Sequence, residues 1–282
     1  MIILTVICIF TLLPLLLLLI TSFTDEQVIL TQGYTFFPNK FSLNSYIYMI
    51  RQGSMIFKAY GISTLATLIG TVLSVLITTM LAYPMARANY KYKNILSFFV
   101  FFTMLFNGGV VSSYIMWSGI FHIKNTIWAL VLPNYMVTAI NVFLVRNYYA
   151  NSIPVSLIES AQLDGAKEST IFFRIILPLA KPSVATIGLF TGLTYWNDWV
   201  NGLYFITDSR MYGIQNLLIR IMNNIQALKS SAASMMGAAS VDLPSFSVRM
   251  AIAVVAILPI LVIYPFVQKY LLRGVVMGAV KG

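Results

Sequence analysis

The amino-acid sequence predicts an all-α integral membrane protein. Of its 282 residues, 59% are hydrophobic and only 9% are charged, and the mean hydropathy is +0.84. A soluble domain of ordinary composition carries about 25% charged residues, so the composition excludes a soluble fold. The hydrophobic residues also form runs long enough to cross a bilayer. We therefore predict a single transmembrane domain over residues 1–282.

Six apolar runs reach the length of about 20 residues that a helix needs to cross the hydrocarbon core. They cover approximately residues 2–22, 60–82, 95–117, 126–145, 182–205 and 248–270. The first run has neither a basic start nor an A-x-A cleavage site, so we predict an uncleaved span and not a signal peptide. Because this run starts almost at the first residue, we expect a short basic leader ahead of it.

The basic residues set the predicted orientation. The formal net charge is +10, but the Lys and Arg residues lie in short loops and form no continuous stripe, which excludes a nucleic-acid surface. The segments 83–94 and 146–181 and the C-terminal tail are rich in Lys and Arg, as cytoplasmic loops are. We therefore predict that both termini lie in the cytoplasm and that 23–59, 118–125 and 206–247 face outward.

The last outward segment contains a predicted amphipathic helix. Its apolar residues recur at helical spacing and are Ile214, Leu217, Leu218, Ile221, Ile225 and Leu228. The polar residues Gln215, Arg220 and Asn224 occupy its other faces. Two interpretations stay open: a lid packed on the spans, or a docking surface for a partner outside the cell.

Residues 154–177 carry an unusual concentration of charge for so apolar a chain. Pro154 suits the first turn of a helix, and Gly165 can end that helix in a left-handed conformation. A second helix is predicted from about Ala166 to Leu177, where the prolines that follow break it. The segment is therefore predicted to be a helix, a turn and a helix on the cytoplasmic face, small enough to enter a groove in a soluble partner.

The spacing within this segment resembles the EAA loop of ABC-importer permeases, whose pattern is E-A-A-x3-G-x9-I-x-L-P. The matching residues are Glu159-Ser160-Ala161, Gly165, Ile175 and Leu177-Pro178, and Ser160 is the one departure. The resemblance implies that residues 154–177, the coupling element, dock into a cleft of a separate ATP-hydrolysing subunit, with Gly165 permitting the turn. The docking residues that it implies are Glu159, Ser160, Ala161, Asp164, Gly165 and Ala166.

Other motifs resemble the MalG-type permeases of carbohydrate importers, and within them the LplC-type branch. These motifs are Asn125-Thr-Ile-Trp-Ala-Leu-Val-Leu-Pro133, Trp196-Asn-Asp-Trp199, Gln268-Lys-Tyr-Leu-Leu-Arg-Gly274 and Gly278-Ala-Val-Lys-Gly282. That branch usually has a Pro soon after the Gly-Gly of the third span, whereas here Gly108-Gly109 is followed by Val110. In the family the C-terminal tail also touches the ATPase, which implies Gly278 and Lys281 as contacts.

A polar sequence interrupts the fifth run. Asp198 lies about 25 Å along a helix from Lys181, in the outer part of the membrane. An ionisable residue at such a depth usually faces the bundle interior or water. Asn and Asp can hydrogen-bond hydroxyls and Trp can stack on sugar rings, which predicts a substrate pathway lined by Trp196, Asn197, Asp198 and Trp199, with Asn107 and Tyr114 as weaker candidates. The alternative is an interfacial aromatic belt.

The resemblance implies the permease subunit of a binding-protein-dependent ABC importer, which takes an oligosaccharide into the cytoplasm by ATP-driven alternating access. The implied partners are a second homologous permease, two ATPase subunits and an extracellular sugar-binding protein, assembled in a bacterial cytoplasmic membrane. The chain has no phosphate-binding loop and no His, Cys or carboxylate cluster. We therefore expect no catalysis, cofactor or metal on this chain, with ATP and Mg on the partner ATPase.

Three alternatives remain open at this point. The first is an ABC importer permease for a non-sugar solute. The second is an ion-coupled secondary transporter, which needs a buried carboxylate or cation site, and only Asp198 is available for it. The third is a membrane scaffold or sensor that binds a soluble partner through residues 154–177 without transporting anything.

Overall fold

The computed structural model describes residues 2–51, 53–235 and 246–279, and these residues are helical apart from turns, loops and an isolated antiparallel bridge between Thr24 and Phe41. Their helices are α1 (Ile2–Ser22), α2 (Glu26–Gln32), α3 (Asn44–Arg51), α4 (Gly53–Ala86), α5 (Lys93–Leu105), α6 (Gly109–Ile120), α7 (Trp128–Val131), α8 (Ala139–Ser152), α9 (Val155–Leu163), α10 (Glu168–Leu179), α11 (Lys181–Trp196), α12 (Val200–Phe205), α13 (Ile214–Met235) and α14 (Phe246–Ala279). A short 3-10 turn covers Ser209–Met211.

Within the described residues, α1 and α4 are each long and apolar enough to cross a membrane. Two further pairs are long enough only when taken together, and both are bent, α5 with α6 by 116° and α10 with α11 by 80°. The helix α14 is apolar over Phe246–Val262. These helices indicate a multi-pass membrane protein, as the composition predicts. The number of six spans, their orientation and the single domain over the whole chain stay predictions.

Backbone breaks divide three of the predicted spans. Between α5 and α6, Gly109 adopts a φ of +80°, a conformation that glycine takes without the clash that a Cβ causes. In the fourth run, Pro133 has no N–H to donate and Asn134 takes a φ of +69°, so α7 and α8 are separate helices. In the fifth run, a break that starts at Asn197 separates α11 from α12. The breaks in the third and fourth runs lie where the sequence is largely apolar, whereas the break in the fifth run coincides with the polar residues Asn197 and Asp198.

The described residues of Met1–Ile62 and Tyr212–Val262 form one compact unit. The Glu26 carboxylate joins its two segments, since Oε1 accepts a hydrogen bond from Phe246 N at 3.0 Å and Oε2 accepts from Ser247 N at 3.0 Å and Ser247 Oγ at 2.7 Å. These bonds satisfy N–H groups in the first turn of α14 that have no partner within the helix. The Tyr60 hydroxyl adds a second link by donating to the Val255 carbonyl at 2.6 Å.

The predicted amphipathic helix is α13, and it belongs to this unit. Its residues Ile214, Leu217 and Leu218 are at most 3% exposed, whereas Asn224 is exposed. The apolar face is therefore buried over the first turns of the helix, as the spacing predicts, and there this favours the lid interpretation. Ile221 is half-buried, and the side chains of Ile225 and Leu228 lie outside the described residues.

The second compact unit comprises the described residues of Ser63–Met211 and Ile263–Gly282. Its apolar core draws on six helices, α4, α5, α8, α9, α10 and α11. The core side chains include Met85, Val100, Val142, Ile158, Ile171, Phe172 and Ile187. Both helices of the coupling element therefore pack directly on the cytoplasmic ends predicted for the spans.

Small residues bring α4 and α11 together. A Cβ at Gly70 would lie 2.6 Å from Cε1 of Tyr195, so only a glycine fits there. Further along, a Cβ at Gly192 would lie 3.4 Å from Thr71 Oγ1, and one at Gly188 would lie 3.8 Å from a methyl group of α4. The close approach of small residues is typical of membrane helix pairs.

Candidate functional site

The coupling element is a helix, a turn and a helix, as predicted. Pro154 is extended and precedes α9, and α9 ends in a turn in which Gly165 has a φ of +76°. Gly165 N donates to Gln162 O at 3.0 Å, and Ala166 N donates to Ala161 O at 2.9 Å. This pair of bonds is the Schellman arrangement, which satisfies the last carbonyls of a helix. The left-handed glycine is therefore what turns the chain from α9 towards α10.

The second helix of the element extends further than the sequence indicates. The predicted end at Leu177 is two residues short, because α10 continues through Pro178 to Leu179. A wider π-helical turn over Ile171–Ile176 comes directly before this proline. The bend of 80° into α11 falls at Ala180, between Pro178 and Pro182. Prolines and π-helical turns are the usual causes of such bends.

The predicted docking residues divide into an exposed and a half-buried set. Glu159, Ser160, Asp164 and Gly165 are exposed, whereas Ala161 and Ala166 are half-buried and pack against the apolar core. Ile158 is 9% exposed and anchors α9 to that core. The exposed set thus faces away from the unit, and the alanines hold the helix in place.

Ser160, the one departure from the EAA pattern, is satisfied within its own helix. Its hydroxyl donates to the Ser156 carbonyl at 2.9 Å. A serine that bonds back in this way presents no unpaired donor to a partner. The substitution therefore leaves the surface of α9 nearly as small as an alanine does.

Leu163 is a candidate docking residue that sequence reasoning missed. It is the last residue of α9, and 90% of its surface is exposed. A large apolar side chain that is exposed next to Gly165 is well placed to enter a pocket of another protein. Because leucine is hydrophobic, a sequence-based prediction places Leu163 in the core, and only the structure shows that it is exposed.

Asp198 holds the break between α11 and α12. Its Oδ1 accepts hydrogen bonds from Val200 N at 3.0 Å, Asn201 N at 3.1 Å and the Tyr135 hydroxyl at 3.1 Å. The two backbone bonds cap the first turn of α12. Nearby, the Tyr195 hydroxyl donates to Val131 O at 2.8 Å. The carboxylate therefore has a structural task in the folded chain, and its predicted role in the pathway stays a prediction.

The other predicted pathway residues differ in exposure. Trp196 is only 7% exposed, so its ring belongs to the core of the unit. Trp199 is 45% exposed, and Asn197 is also exposed. Asn107 is exposed in the break between α5 and α6, where its Oδ1 accepts from the Gly109 N–H at 2.9 Å. Among these, Trp199 is the aromatic ring that is open to a ligand.

Tyr114 lies in α6 and is half-buried against α12. Its ring stacks on Phe205 with the centroids 5.8 Å apart, and the Lys124 ammonium donates to its hydroxyl at 3.4 Å. The predicted tail contact Gly278 lies in the last turn of α14, and Lys281 lies outside the described residues.

Three asparagines fix this part of the unit, and sequence reasoning assigned them no role. Asn201 is fully buried, donates to Pro133 O at 3.1 Å and accepts from Asn134 Nδ2 at 2.8 Å. Asn125 accepts from the backbone N–H of Thr207 at 2.7 Å. Two features of the sequence could have pointed to them. Asn125 is the first residue of a motif that resembles the MalG-type permeases, and Asn201 lies three residues after Asp198, the spacing of a helix cap.

Comparisons with known proteins identify the class. Residues 75–277 match the family described as "Binding-protein-dependent transport system inner membrane component". The chain is 35% identical to the polygalacturonan/rhamnogalacturonan transport system permease protein YtcP of Bacillus subtilis (strain 168), covering 96% of this chain and 92% of that protein. It is 34% identical to Protein LplC of the same organism, with 96% and 90% covered.

Two further comparisons agree. The chain is 28% identical to the arabinooligosaccharides transport system permease protein AraQ of Halalkalibacterium halodurans, with 95% and 91% covered. A solved structure of a bacterial ABC transporter involved in the import of the acidic polysaccharide alginate shares the fold, with a TM-score of 0.80 at 24% identity, and 95% and 94% of the chains are covered. The chain therefore belongs to the binding-protein-dependent transport system inner membrane component family. It is a permease of the ABC-importer class, which confirms the resemblance read from its motifs.

Proposed function

We propose that this permease imports an oligosaccharide and that it is driven by ATP hydrolysis on a separate subunit docked at the coupling element. The observation that carries the proposal is the geometry of α9. It is a short helix anchored by Ile158, turned by Gly165 and exposing Glu159, Ser160 and Leu163. A rigid element that presents a small, partly apolar surface suits a groove in another protein.

The mechanism we propose is alternating access. Closure of an ATPase dimer moves α9 and α10, and the core that joins them to α4, α8 and α11 transmits the movement to the spans. The spans then open outward and accept the sugar from a docked binding protein, and ATP hydrolysis resets the assembly. The partners are a second homologous permease, two ATPase subunits and that binding protein, and the tail residues Gly278 and Lys281 add a second contact to the ATPase.

The orientation that this mechanism needs places residues 83–94 and 154–177 in the cytoplasm. Their Lys and Arg residues support it through the positive-inside rule. The test uses the Cys8→Ser background, because Cys8 is the one cysteine in the chain. A cysteine at the exposed Lys91 should react with a membrane-impermeant maleimide only in inverted vesicles. Labelling from intact cells would contradict the orientation.

The substrate class we propose is an oligosaccharide, with uronate-containing fragments as the first to test. The names of the relatives above, from polygalacturonan/rhamnogalacturonan to arabinooligosaccharides, support this choice. In this chain, Trp199 and Asn197 offer an exposed ring and an exposed amide at the break after α11. Rings of this kind stack on sugars while amides bond their hydroxyls.

The ion-coupled alternative receives no support from the site. It requires Asp198 to bind a cation or proton, whereas Asp198 Oδ1 already accepts three hydrogen bonds, two of them from the first turn of α12. A scaffold without transport has no observation in its favour either.

The experiment is reconstitution of the whole complex with its binding protein loaded in turn with neutral and uronate-containing oligosaccharides. The proposal predicts that ATP hydrolysis rises only with the loaded protein, and rises most for one oligosaccharide class. The matched control is the same complex with amino-acid or peptide ligands. Equal ATP hydrolysis with every ligand, or stimulation by a non-sugar alone, would contradict it.

A further inference from the structure

Glu168, the first residue of α10, lies at the centre of a polar cluster that joins three elements. The Tyr83 hydroxyl donates to Glu168 Oε2 at 2.6 Å, and Arg87 Nη2 donates to Oε1 at 3.3 Å. Gln162, in the last turn of α9, also donates to Oε1, at 3.0 Å. Arg87 Nη1 in turn donates to the Tyr83 hydroxyl at 3.2 Å. The Glu168 carboxylate therefore joins its own helix, α10, to α9 and to the end of α4.

The apolar core holds this cluster in register. The Tyr83 ring packs on Phe172 of α10 with the centroids 5.4 Å apart, and Phe172 is only 5% exposed. Arg87 is the residue that follows α4, and its side chain is 22% exposed. The phenol is thus fixed by packing while its hydroxyl remains free to reach the carboxylate.

The energetics favour a positioning role over a stabilising one. The Glu168 side chain is 59% exposed, and ion pairs with so exposed a partner contribute little free energy to folding. The four bonds nevertheless come from residues up to 85 positions apart and restrict how α9 can rotate on α4. The apolar contacts of Ile158 alone permit sliding, because hydrophobic contact is non-directional.

The helix α4 carries this restraint towards the break after α11. It runs without interruption from Tyr83 back to Gly70, where the Tyr195 ring fills the space of a missing Cβ. Tyr195 in turn lies three residues before Asp198. Because Glu168 joins α9 to α4, a rotation of α9 turns α4 with it. The helix α4 in turn contacts Tyr195, which lies close in the chain to the exposed Trp199.

We propose that Glu168, which accepts from Gln162 of α9 and from Tyr83 and Arg87 at the end of α4, locks the coupling helix α9 to α4, so that movement of the docked ATPase moves the transmembrane helix. This inference rests on the proposed function. It assigns positioning roles to residues that are not among the predicted docking residues. It also accounts for an Arg in the 83–94 loop that the positive-inside rule treats as one basic residue among several.

The test compares variants of the reconstituted complex by three readouts: basal ATP hydrolysis, the stimulation by loaded binding protein, and sugar uptake. Glu168→Gln and Arg87→Gln should lower stimulation and uptake about fivefold, the lower end of coupling between distant sites. Basal hydrolysis should not change, because the exposed docking surface of α9 is intact. Lys91→Gln is the matched control, since it removes a cation from the same loop without touching Glu168.

Two further variants separate positioning from folding. Tyr83→Phe keeps the ring on Phe172 and removes only the hydroxyl, so it should reproduce the loss of stimulation with a normal melting temperature. The exchange Arg87→Glu with Glu168→Arg should recover at least half of the uptake lost by either single variant. Single variants that match Lys91→Gln, or an exchange that recovers nothing, would overturn the proposal. If the wild-type complex itself shows no stimulation, the proposed function fails instead.

Discussion

Substitution of Gly165 tests the turn on which the coupling element depends. The residue has a φ of +76°, and nothing lies within 4 Å of the position of an added Cβ. The cost of a side chain is therefore conformational alone, about 1–2 kcal/mol for an L-residue in this region. Because about 1.4 kcal/mol is a factor of ten, Gly165→Ala should disfavour the turn about 5- to 30-fold.

A series of residues at this position sharpens the prediction. Asn enters the left-handed region more readily than Ala, so Gly165→Asn should be milder. Proline is fixed near a φ of about −65° and has no N–H, so Gly165→Pro also loses the bond to Gln162 O, 3.0 Å long here. The expected order of activity is Gly, Asn, Ala, Pro.

The assay is sugar uptake per ATP hydrolysed in proteoliposomes, with membrane insertion checked by the yield of folded complex. Gly61→Ala is the matched control, because Gly61 lies within α4 with no atom within 4 Å of an added Cβ and no positive φ. Wild-type uptake by Gly165→Pro would show that transport does not depend on this turn. Equal losses for Asn and Ala would show that the loss does not come from the backbone.

Three other predictions concern the packing around Gly70, the hydrogen bonds of Asn125 and the role of Trp199 in the substrate pathway. Gly70→Ala should lower the free energy of unfolding by about 1–3 kcal/mol through overpacking, since Tyr195 cannot retreat without losing its hydrogen bond of 2.8 Å. Gly188→Ala, where the Cβ would meet its neighbour at 3.8 Å, should melt at or above the wild-type temperature, and equal melting of the two variants would contradict this packing. Asn125→Ala should cost about 0.5–1.5 kcal/mol, the net contribution of a hydrogen bond, because the exposed N–H groups of Thr207 and Asp208 then bond to water instead; an unchanged thermal melting curve would contradict this role of Asn125. Trp199→Ala should raise the half-saturating sugar concentration about 2- to 12-fold, the value of one aromatic contact, and an unchanged concentration in uptake assays would remove Trp199 from the pathway.

The coupling element could be predicted well because its determinants are local. Pro154 and Gly165 act on the backbone of their own and adjacent residues, so their positions in the sequence predict the start and end of α9. The end of α10 was less predictable. Pro178 terminates a regular helix, but the π-helical turn just before it lets the chain continue to Leu179.

The breaks in the third and fourth predicted spans could not be predicted from hydropathy. A count of apolar residues does not register the left-handed backbone of Gly109 and Asn134, because both lie within or beside apolar runs. The bonds that stabilise the breaks join distant parts of the chain, such as Asn201 with Pro133 at 3.1 Å. Such pairs have no signature in one sequence.

The candidate pathway shows the same limit. Residue type predicted Asp198 as a residue that lines the pathway, which stays a prediction, but it did not indicate the hydrogen bonds of Asp198 to Tyr135 and to the first turn of α12. The exposure of Trp199 and the burial of Trp196 also depend on how α11 packs. Chemistry read from residue types narrows the candidates, and packing decides which of them a ligand can reach.

The proposed import of an oligosaccharide draws its energy from ATP bound on another subunit. The most direct measurement is uptake of a labelled oligosaccharide into proteoliposomes that hold the complete complex, with binding protein outside and ATP enclosed. We expect accumulation against a gradient that requires ATP, persists when proton and sodium gradients are dissipated, and is lost in Gly165→Pro. Uptake that follows an ion gradient and continues without ATP would contradict it.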